Sequence, residues 1–410
     1  MDDIVVGIDI GTTKVCTLVA RVEDTMDLRI MGVGIEPSEG IRKGVIVDLG
    51  AASAAIARSV QKAEQTSGLK IDSALVSLAG AHVSSINSRG VVGVAGDTVD
   101  EIDIERAMEA ARTVAIPNSR EIIHVIQRGF SLDGEDGIHQ PVGMHGFRLE
   151  VEAHVITAAS ATVENLRQAV AAAGVDAAQF VLNPLASAEV VLSDTERNMG
   201  AIVCDIGGGT TDLAIYVNGD VWHTMVLAVG GNHITQDIAH GLRLPLPVAE
   251  EVKKQHGNAI KSEIGLEETF AVKPFGEDQP VRISRRDLCH IIEARVEEIF
   301  DLTLQEIKRS GYDGLLPAGM ILTGGSSQLP GMRQLASRVL GMPVRTAQPE
   351  KLLGLADKLN SPAYSTSVGL LHWAAALQAL PYGGGGKGRK QKGESQNWNT
   401  IKNILRRLLP

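Results

Sequence analysis

One pattern occurs twice in this chain and limits the folds open to it. Val5-Val6-Gly7-Ile8-Asp9-Ile10 reads as a buried strand, Gly11-Thr12-Thr13-Lys14 as a turn, and residues 15–20 as a returning strand. Ala201-Ile202-Val203-Cys204-Asp205-Ile206, the turn Gly207-Gly208-Gly209-Thr210-Thr211 and a strand over 212–217 repeat it. A further turn at Gly219-Asp220 leads to a third strand, 221–227. Each copy delivers an Asp at the end of an apolar, β-branched run, directly before the glycines. The copies lie 196 residues apart, too far for a solenoid period. The spacing predicts two related domains that face each other.

A Gly-rich turn exposes backbone N–H groups, and without a Cβ it lets phosphate oxygens come close. Thr12, Thr13, Thr210 and Thr211 add hydroxyl donors, and Lys14 adds a positive charge. Carboxylates such as Asp9 and Asp205 do not bind phosphate; they hold Mg2+, usually through water. Two such hairpins face to face make a clamp for a metal-bound triphosphate, although either alone is equally an ordinary Gly-rich hairpin. A third element, Leu322-Thr323-Gly324-Gly325-Ser326-Ser327, ends a strand over 320–323. Its paired glycines admit a flat base or ribose against the backbone. Alone it is a weak signal; in order with the other two it is specific.

Other segments complete the outline. Residues 51–66 have helical spacing and end near Gly68, a C-cap. Residues 74–78 read as a short buried strand. Residues 83–157 differ in character, with polar-alternating strands, one helix over 103–113 and a Gly/Asp/His-rich loop at 133–146, and are expected to form an inserted subdomain. A helix over 162–173 ends at Gly174. Residues 231–314 read as mostly helical, with amphipathic runs at 247–255 and 284–310.

Of 410 residues, 39 are basic and 49 acidic, for a net charge of −10, and aromatics make up 3%. That balance argues against a general nucleic-acid binder and against aromatic stacking platforms. The apolar share of 44% is enough for a sizeable core. Cys16, Cys204 and Cys289 have no C-x-x-C spacing and are expected to be buried, inert thiols. The acidic start MDDIVVGIDIG lacks the pattern of a signal peptide, and no stretch reaches the roughly 20 apolar residues of a membrane span, so a cytoplasmic protein is expected.

The charge is uneven. Residues 387–410 hold Lys387, Arg389, Lys390, Lys392, Lys402, Arg406 and Arg407 against one acid, Glu394, which leaves −16 on the rest. Residues 383–396 read as a flexible linker. Beyond it, Trp398, Ile401, Ile404, Leu405 and Leu408 share one face of a helix, widened by Leu409, with Lys402, Asn403, Arg406 and Arg407 on the rest. Fourteen residues span about 20 Å as a helix, short of a hydrocarbon core of roughly 30 Å. Such a helix would lie in the interface of an anionic membrane. Docking on the protein's own body is the alternative.

DIGTTK at 9–14, DIGGGTTD at 205–212 and LTGGSS at 322–327 resemble the phosphate-1, phosphate-2 and adenosine motifs of the actin, heat-shock chaperone and sugar-kinase superfamily. Leu182-Asn183-Pro184-Leu185-Ala186-Ser187-Ala188 and Ser365-Thr366-Ser367-Val368-Gly369 resemble its two connecting helices, whose small residues permit a close crossing at the hinge. Within it, the organisation of nearly the whole chain is similar to that of the FtsA family of bacterial cell-division proteins. The resemblance implies an α/β, actin-like fold: two ribonuclease-H-like domains around a nucleotide cleft, with an inserted 1C-type subdomain. It divides the chain into 1A (1–82 and 161–192), 1C (83–160), 2A (193–230 and 315–355), 2B (231–314) and a returning connecting helix (356–382), then the linker (383–396) and a membrane-targeting helix (397–410).

The resemblance also implies ligands and roles. ATP and Mg2+ are the expected cofactors. Asp9, Gly11, Thr12, Thr13 and Lys14 would form the first phosphate loop, and Asp205, Gly207, Gly208, Gly209, Thr210 and Asp212 the second. Gly324, Gly325 and Ser326 would line the adenosine site, and Asp9 and Asp205 would hold Mg2+ through water. Glu250 and Lys253 fall on a helix resembling the ribose-contacting one, but are equally a solvated surface pair. Chaperone and MreB-like members carry Glu before the Pro of the first connecting helix, where this chain has Asn183. An amide cannot accept a proton as a carboxylate can, so ATP is expected to be mainly a conformational ligand, hydrolysed slowly if at all.

For such a family the implied function is an actin-like scaffold. It would polymerise on the cytoplasmic face of the membrane at mid-cell, anchor the FtsZ ring through the FtsZ C-terminal peptide, and recruit later division proteins. Arg285, Arg286 and Arg295 would receive that acidic peptide, or else form a solvated basic face. A small-molecule kinase and a pilus or secretion-type assembly protein are the alternatives. The kinase would need a cleft carboxylate beside a substrate hydroxyl, and neither is expected to carry the terminal helix.

Overall fold

The computed structural model describes residues 4–23, 27–113 and 116–378. The linker expected at 383–396 and the helix expected at 397–410, with Trp398, Ile401, Lys402, Ile404, Leu405, Arg406, Arg407 and Leu408, lie outside the described residues.

Two sheets carry the repeat seen in the sequence. The first contains β1 (Ile4–Ile10), β2 (Lys14–Val22), β3 (Leu28–Pro37), β6 (Ser73–Leu78), β11 (Asp176–Leu182) and β19 (Leu353–Gly354), in the order β11-β6-β1-β2-β3-β19. The second contains β12 (Ala201–Ile206), β13 (Thr211–Val217), β14 (Asp220–Leu227), β17 (Gly319–Thr323) and β18 (Val344–Thr346), in the order β14-β13-β12-β17-β18. In both, a three-stranded antiparallel meander continues into two parallel strands on the side of its first strand. The repeat is therefore one of topology as well as of motif. Asp9 pairs with Cys16 across the first hairpin, and Asp205 with Asp212 across the second.

Helices cover the sheets because their apolar faces have nowhere else to go. α1 (Leu49–Ser67) packs on β3, capped by Asp48 at its start and by left-handed Gly68 at its end. α3 (Ser160–Ala172) packs on α1. α4 (Asn183–Val191) leaves the first sheet, and α5 (Asp194–Met199) leads into the second domain. There α6 (Gly231–Leu242), α7 (Leu246–His256), α8 (Arg285–Ser310) and α9 (Met332–Leu340) enclose a core that includes Ile202, Leu213, Ile234 and Phe300. α10 (Ser365–Gln378) returns to the first sheet and crosses α4. A Cβ on Gly369 would lie 1.9 Å from the Ala186 carbonyl oxygen, so only glycine permits this crossing.

The segment after β6 forms a sheet of its own. β7 (Ser84–Gly93), β8 (Arg120–Leu132), β9 (Glu135–Ile138) and β10 (Arg148–Ala159) lie in the order β7-β10-β8-β9, with α2 (Glu101–Arg112) against β7. Val125, Phe130, Val151 and Val155 give it a separate core.

The sequence reading needs correction in two places. Part of the loop expected at 133–146 is strand β9, reached through the two-residue turn Asp133-Gly134 with φ of 51° and 92°. The helical reading of 231–314 also missed a hairpin, β15 (Thr269–Val272) and β16 (Val281–Ser284). Strands of four residues are too short for periodicity to reveal. A last hairpin, β4 (Ile41–Arg42) and β5 (Val45–Ile46), precedes α1. All three cysteines are free and buried, as expected.

Candidate functional site

β1 and β12 end in turns of one design. The Gly11 N–H donates to the Lys14 carbonyl at 3.0 Å, and the Gly207 N–H to the Thr210 carbonyl at 2.9 Å. The two turns touch. A Cβ on Gly208 would fall 2.1 Å from Thr13 Oγ1, and one on Gly209 would fall 2.5 Å from Thr12 Oγ1. A side chain at either glycine would displace the threonine that faces it from the other domain.

Behind the turns lies a cavity of about 570 Å3. Every loop residue expected from the sequence lines it except Gly209, which packs against Thr12, and Thr211, whose buried hydroxyl donates to the Val229 carbonyl at 2.9 Å instead of facing the cavity. Asn183, Glu250 and Lys253 line it too.

Both strand-end carboxylates are buried and held by hydroxyls of other elements. Asp9 accepts from Ser77 on β6 at 3.0 Å and from Ser367 on α10 at 2.7 Å. Asp205 accepts from Ser187 on α4 at 2.5 Å and from Thr366 on α10 at 2.9 Å. Adjacent residues of one helix thus tie the carboxylates of both domains. These four hydroxyls are the functional residues that the motif reading missed. For three of them the available signal was Ser or Thr inside a helix otherwise buried and apolar; Ser77, on the buried strand β6, carried none.

Burial raises the Asp205 carboxyl above its ordinary range, against the pull of its two hydroxyl donors. Asp212 is raised further, by burial and then by Asp205. Its Oδ2 accepts from Thr210 at 2.9 Å, but its Oδ1 is buried without a partner, and so is Oδ1 of Asn183. Acids raised by burial and orphaned oxygens are what a cation and its water would satisfy. Among the described residues no three His, Cys, Asp or Glu side chains group to hold a metal directly.

Directly beside Asp205, Gly324 has φ 84°, and a Cβ there would lie 2.3 Å from Asp205 Oδ1. Ser326 donates to the Gly207 carbonyl at 3.0 Å. Glu250 and Lys253, 2.6 Å apart, form a part-buried pair rather than a solvated one. Burial favours a neutral Glu250, but Lys253, Thr235 and Lys254 outweigh it and hold the carboxyl below its ordinary value. Lys14 lies over the Tyr364 ring, 3.6 Å from its centre, and donates to the Ala363 carbonyl. Burial lowers its pKa.

The three arginines proposed for a partner all lie on α8, but two are engaged. Arg285 pairs with Glu268 at 2.7 Å and donates to the His256 carbonyl. Arg295 holds both oxygens of Asp237, at 2.5 and 3.0 Å. Arg286 makes no ion pair among the described residues and is half-buried.

Comparison with known proteins agrees with this geometry. A family model described as cell division protein FtsA matches residues 202–369, and one described as the SHS2 domain inserted in FtsA matches residues 80–157. The chain is 40% identical over 375 residues to cell division protein FtsA of Pseudomonas aeruginosa, covering 92% of this chain and 90% of that one. It is 38% identical to the Bacillus subtilis FtsA, covering 91% of this chain and 84% of that one. Among solved structures, a PilM-PilN type IV pilus biogenesis complex aligns with a TM-score of 0.62 at 17% identity, over 90% of this chain and 98% of that one. MreB5 of Spiroplasma citri bound to ADP aligns with a TM-score of 0.52 at 16% identity, over 89% and 94%. Those two likenesses concern the fold, which is the α/β, actin-like ATPase fold with an inserted domain. With repeat, cleft, insert and sequence all in agreement, the chain belongs to the FtsA family of cell-division proteins.

Proposed function

We propose that this chain binds Mg-ATP in the cleft and uses it as a conformational ligand to form filaments on the cytoplasmic face of the membrane at the division site. There it anchors FtsZ and recruits later division proteins. The observation that supports the nucleotide reading is the pair of facing turns with both strand-end carboxylates tied to the connecting helices. The turn N–H groups would receive phosphate oxygens, and Asp9 and Asp205 would orient the waters of Mg2+. When bound, Mg2+ supplies charge neutralisation to the phosphates. Because α4 and α10 both reach Asp205, a change at the phosphates is felt at the hinge. Asn183 can accept a hydrogen bond from a water but cannot take its proton, which supports slow turnover.

The membrane reading rests on the amphipathic sequence of residues 397–410. For the FtsZ peptide, Arg286 is the arginine of the three that makes no ion pair among the described residues. Two measurements on the full chain test the proposal: calorimetric titration with Mg-ATP, and co-sedimentation with anionic liposomes with and without ATP, with filaments scored by electron microscopy. ATP binding and ATP-dependent, liposome-associated filaments are expected. A folded chain that binds no ATP would overturn it.

A further inference from the structure

The four-stranded insert leaves the first domain after β6, yet it also packs on the second domain. Strands β7, β8 and β10 all contact β14, the edge strand of the second sheet. Ser85 on β7 donates to the Thr224 carbonyl at 3.0 Å, and the Thr224 hydroxyl meets Nε2 of His154 on β10 at 3.0 Å. Asn87 bonds the other nitrogen of that imidazole at 2.8 Å. The Arg128 guanidinium on β8 lies over the Trp222 ring, 4.2 Å from its centre. On its other side the insert meets the first domain beside the cleft. There His124 accepts the Leu182 N–H at 3.2 Å, one residue before the cavity-lining Asn183.

β14 is joined directly to the cleft. Its Val226 and Leu227 pair with Asp212 and Thr211 on β13, and Asp212 lines the cavity. Past β14 the chain closes onto the second glycine turn. The Gly231 N–H donates to the Gly207 carbonyl at 2.9 Å, and the Asn232 N–H to the Gly208 carbonyl at 2.7 Å. The insert therefore bridges the two domains, and it holds the second at the strand whose continuation packs on the glycine turn. The contact is also incompletely satisfied. Arg128 Nε, Trp222 Nε1 and His223 Nε2 are buried without a partner, the His223 ring lying 6.5 Å from that of His154. Such groups lose water on docking and gain no hydrogen bond, so separation rehydrates them. An edge contact of this kind opens more readily than the apolar core of the insert itself.

We infer that the insert is a latch: docked on β14 through Ser85, His154 and Arg128, it holds the domains in the closed arrangement in which the two glycine turns touch, and its release lets the cleft open. The consequence for a bound nucleotide, faster release from the unlatched chain, rests on the nucleotide site proposed above. The latch itself does not, because the contact lies outside the cleft.

The test uses the full chain. Ser85→Ala with Thr224→Val removes both hydroxyls of the contact, and Thr224→Ser alone keeps them. Spin labels on cysteines introduced at exposed Gln61 on α1 and Gln334 on α9 report the distance between the domains without nucleotide, the native cysteines being buried. Stopped-flow release of a fluorescent Mg-ATP analogue gives the second readout. In the double variant the label distances should shift to longer separations, and the analogue should leave about tenfold faster, as for the loss of two buried hydrogen bonds. Thr224→Ser should match the wild type in both. A wild-type label distance in the folded double variant overturns the latch. If the double variant does not fold, Ser85→Ala alone, at a half-buried position, decides by the same distance. Longer distances with unchanged release keep the latch and overturn its control of the nucleotide. A wild-type chain that binds no analogue overturns the nucleotide reading, and the label distance still judges the latch.

Discussion

Ser187 on α4 and Thr366 on α10 place their hydroxyl oxygens 3.0 Å apart, and both meet the same carboxylate oxygen of Asp205. The two segments that join the domains thus converge on one cleft carboxylate. On the function proposed above, a bound nucleotide's metal and the angle between the domains would be coupled through that one oxygen.

Removing one of these donors should weaken the site without dismantling it. Hydrogen bonds to charged groups are worth about 1.5–3 kcal/mol. Ser187→Ala should raise the Asp205 pKa further and weaken Mg-ATP binding about tenfold. Asp205→Ala should weaken it more, in a chain that still folds. Unchanged affinity in a folded Asp205→Ala protein, measured by calorimetry, would exclude Asp205 from the metal site.

Asp212 separates stability from binding. Burial raises its carboxyl, so the folded state holds the proton more tightly than the unfolded chain. Its ionisation therefore lowers stability as pH rises above the ordinary carboxylate range, and the cost persists at neutral pH. Asp212→Asn should raise the nucleotide-free melting temperature at pH 7.5 and weaken Mg-ATP binding. A fall in melting temperature would show that the unpaired Oδ1 has a partner that the structure lacks.

Hydrolysis should be slow, well below the ~10 s⁻¹ of a typical enzyme. Asn183→Glu puts a carboxylate where an orphaned amide oxygen now faces the cavity. General-base assistance contributes about 10²–10⁴ in rate. Steady-state phosphate release should rise by at least tenfold; no rise would mean that this position does not face the attacking water.

Acid should loosen the insert. His154 on β10 bonds Asn87 at 2.8 Å and Thr224 on β14 at 3.0 Å, and burial lowers its pKa to about 3. His124 on β8 accepts the Leu182 N–H at 3.2 Å, just before α4, and burial lowers it to about 4. Both are neutral in the fold and protonate more readily unfolded. Stability is full above the unfolded value near 6.5 and falls as pH drops through it, by about 2 kcal/mol for each at pH 5. Urea midpoints at pH 7 and 5 measure this. The loss should shrink in His124→Gln, and a midpoint indifferent to pH would contradict it.

Deletion of 397–410, or Trp398 and Leu405 both changed to Glu, should release the chain from anionic liposomes. Each basic residue near such a surface contributes about 1 kcal/mol, and a filament multiplies the attachment. Equal co-sedimentation of the deleted and full chains would rule the helix out as the anchor.

The sequence by itself determined the doubled strand, Asp and glycine-turn pattern, and with it the fold class and the residues of both facing turns. Those signals are local: alternating β-branched residues make strands, and glycines make tight turns whatever surrounds them. Short elements such as β9, β15 and β16 stayed hidden because four residues carry no period, although Asp133-Gly134 was a legible turn signal. Only the tertiary structure decided what the polar side chains do. Ser77, Ser187, Thr366 and Ser367 are unremarkable in sequence, yet they converge on Asp9 and Asp205 from elements as many as 358 residues apart. Likewise Lys14, the obvious cation in the motif, is drawn to the Ala363 carbonyl and the Tyr364 ring. A charge acts on whatever the fold brings near it, and that neighbourhood is set by how two domains pack.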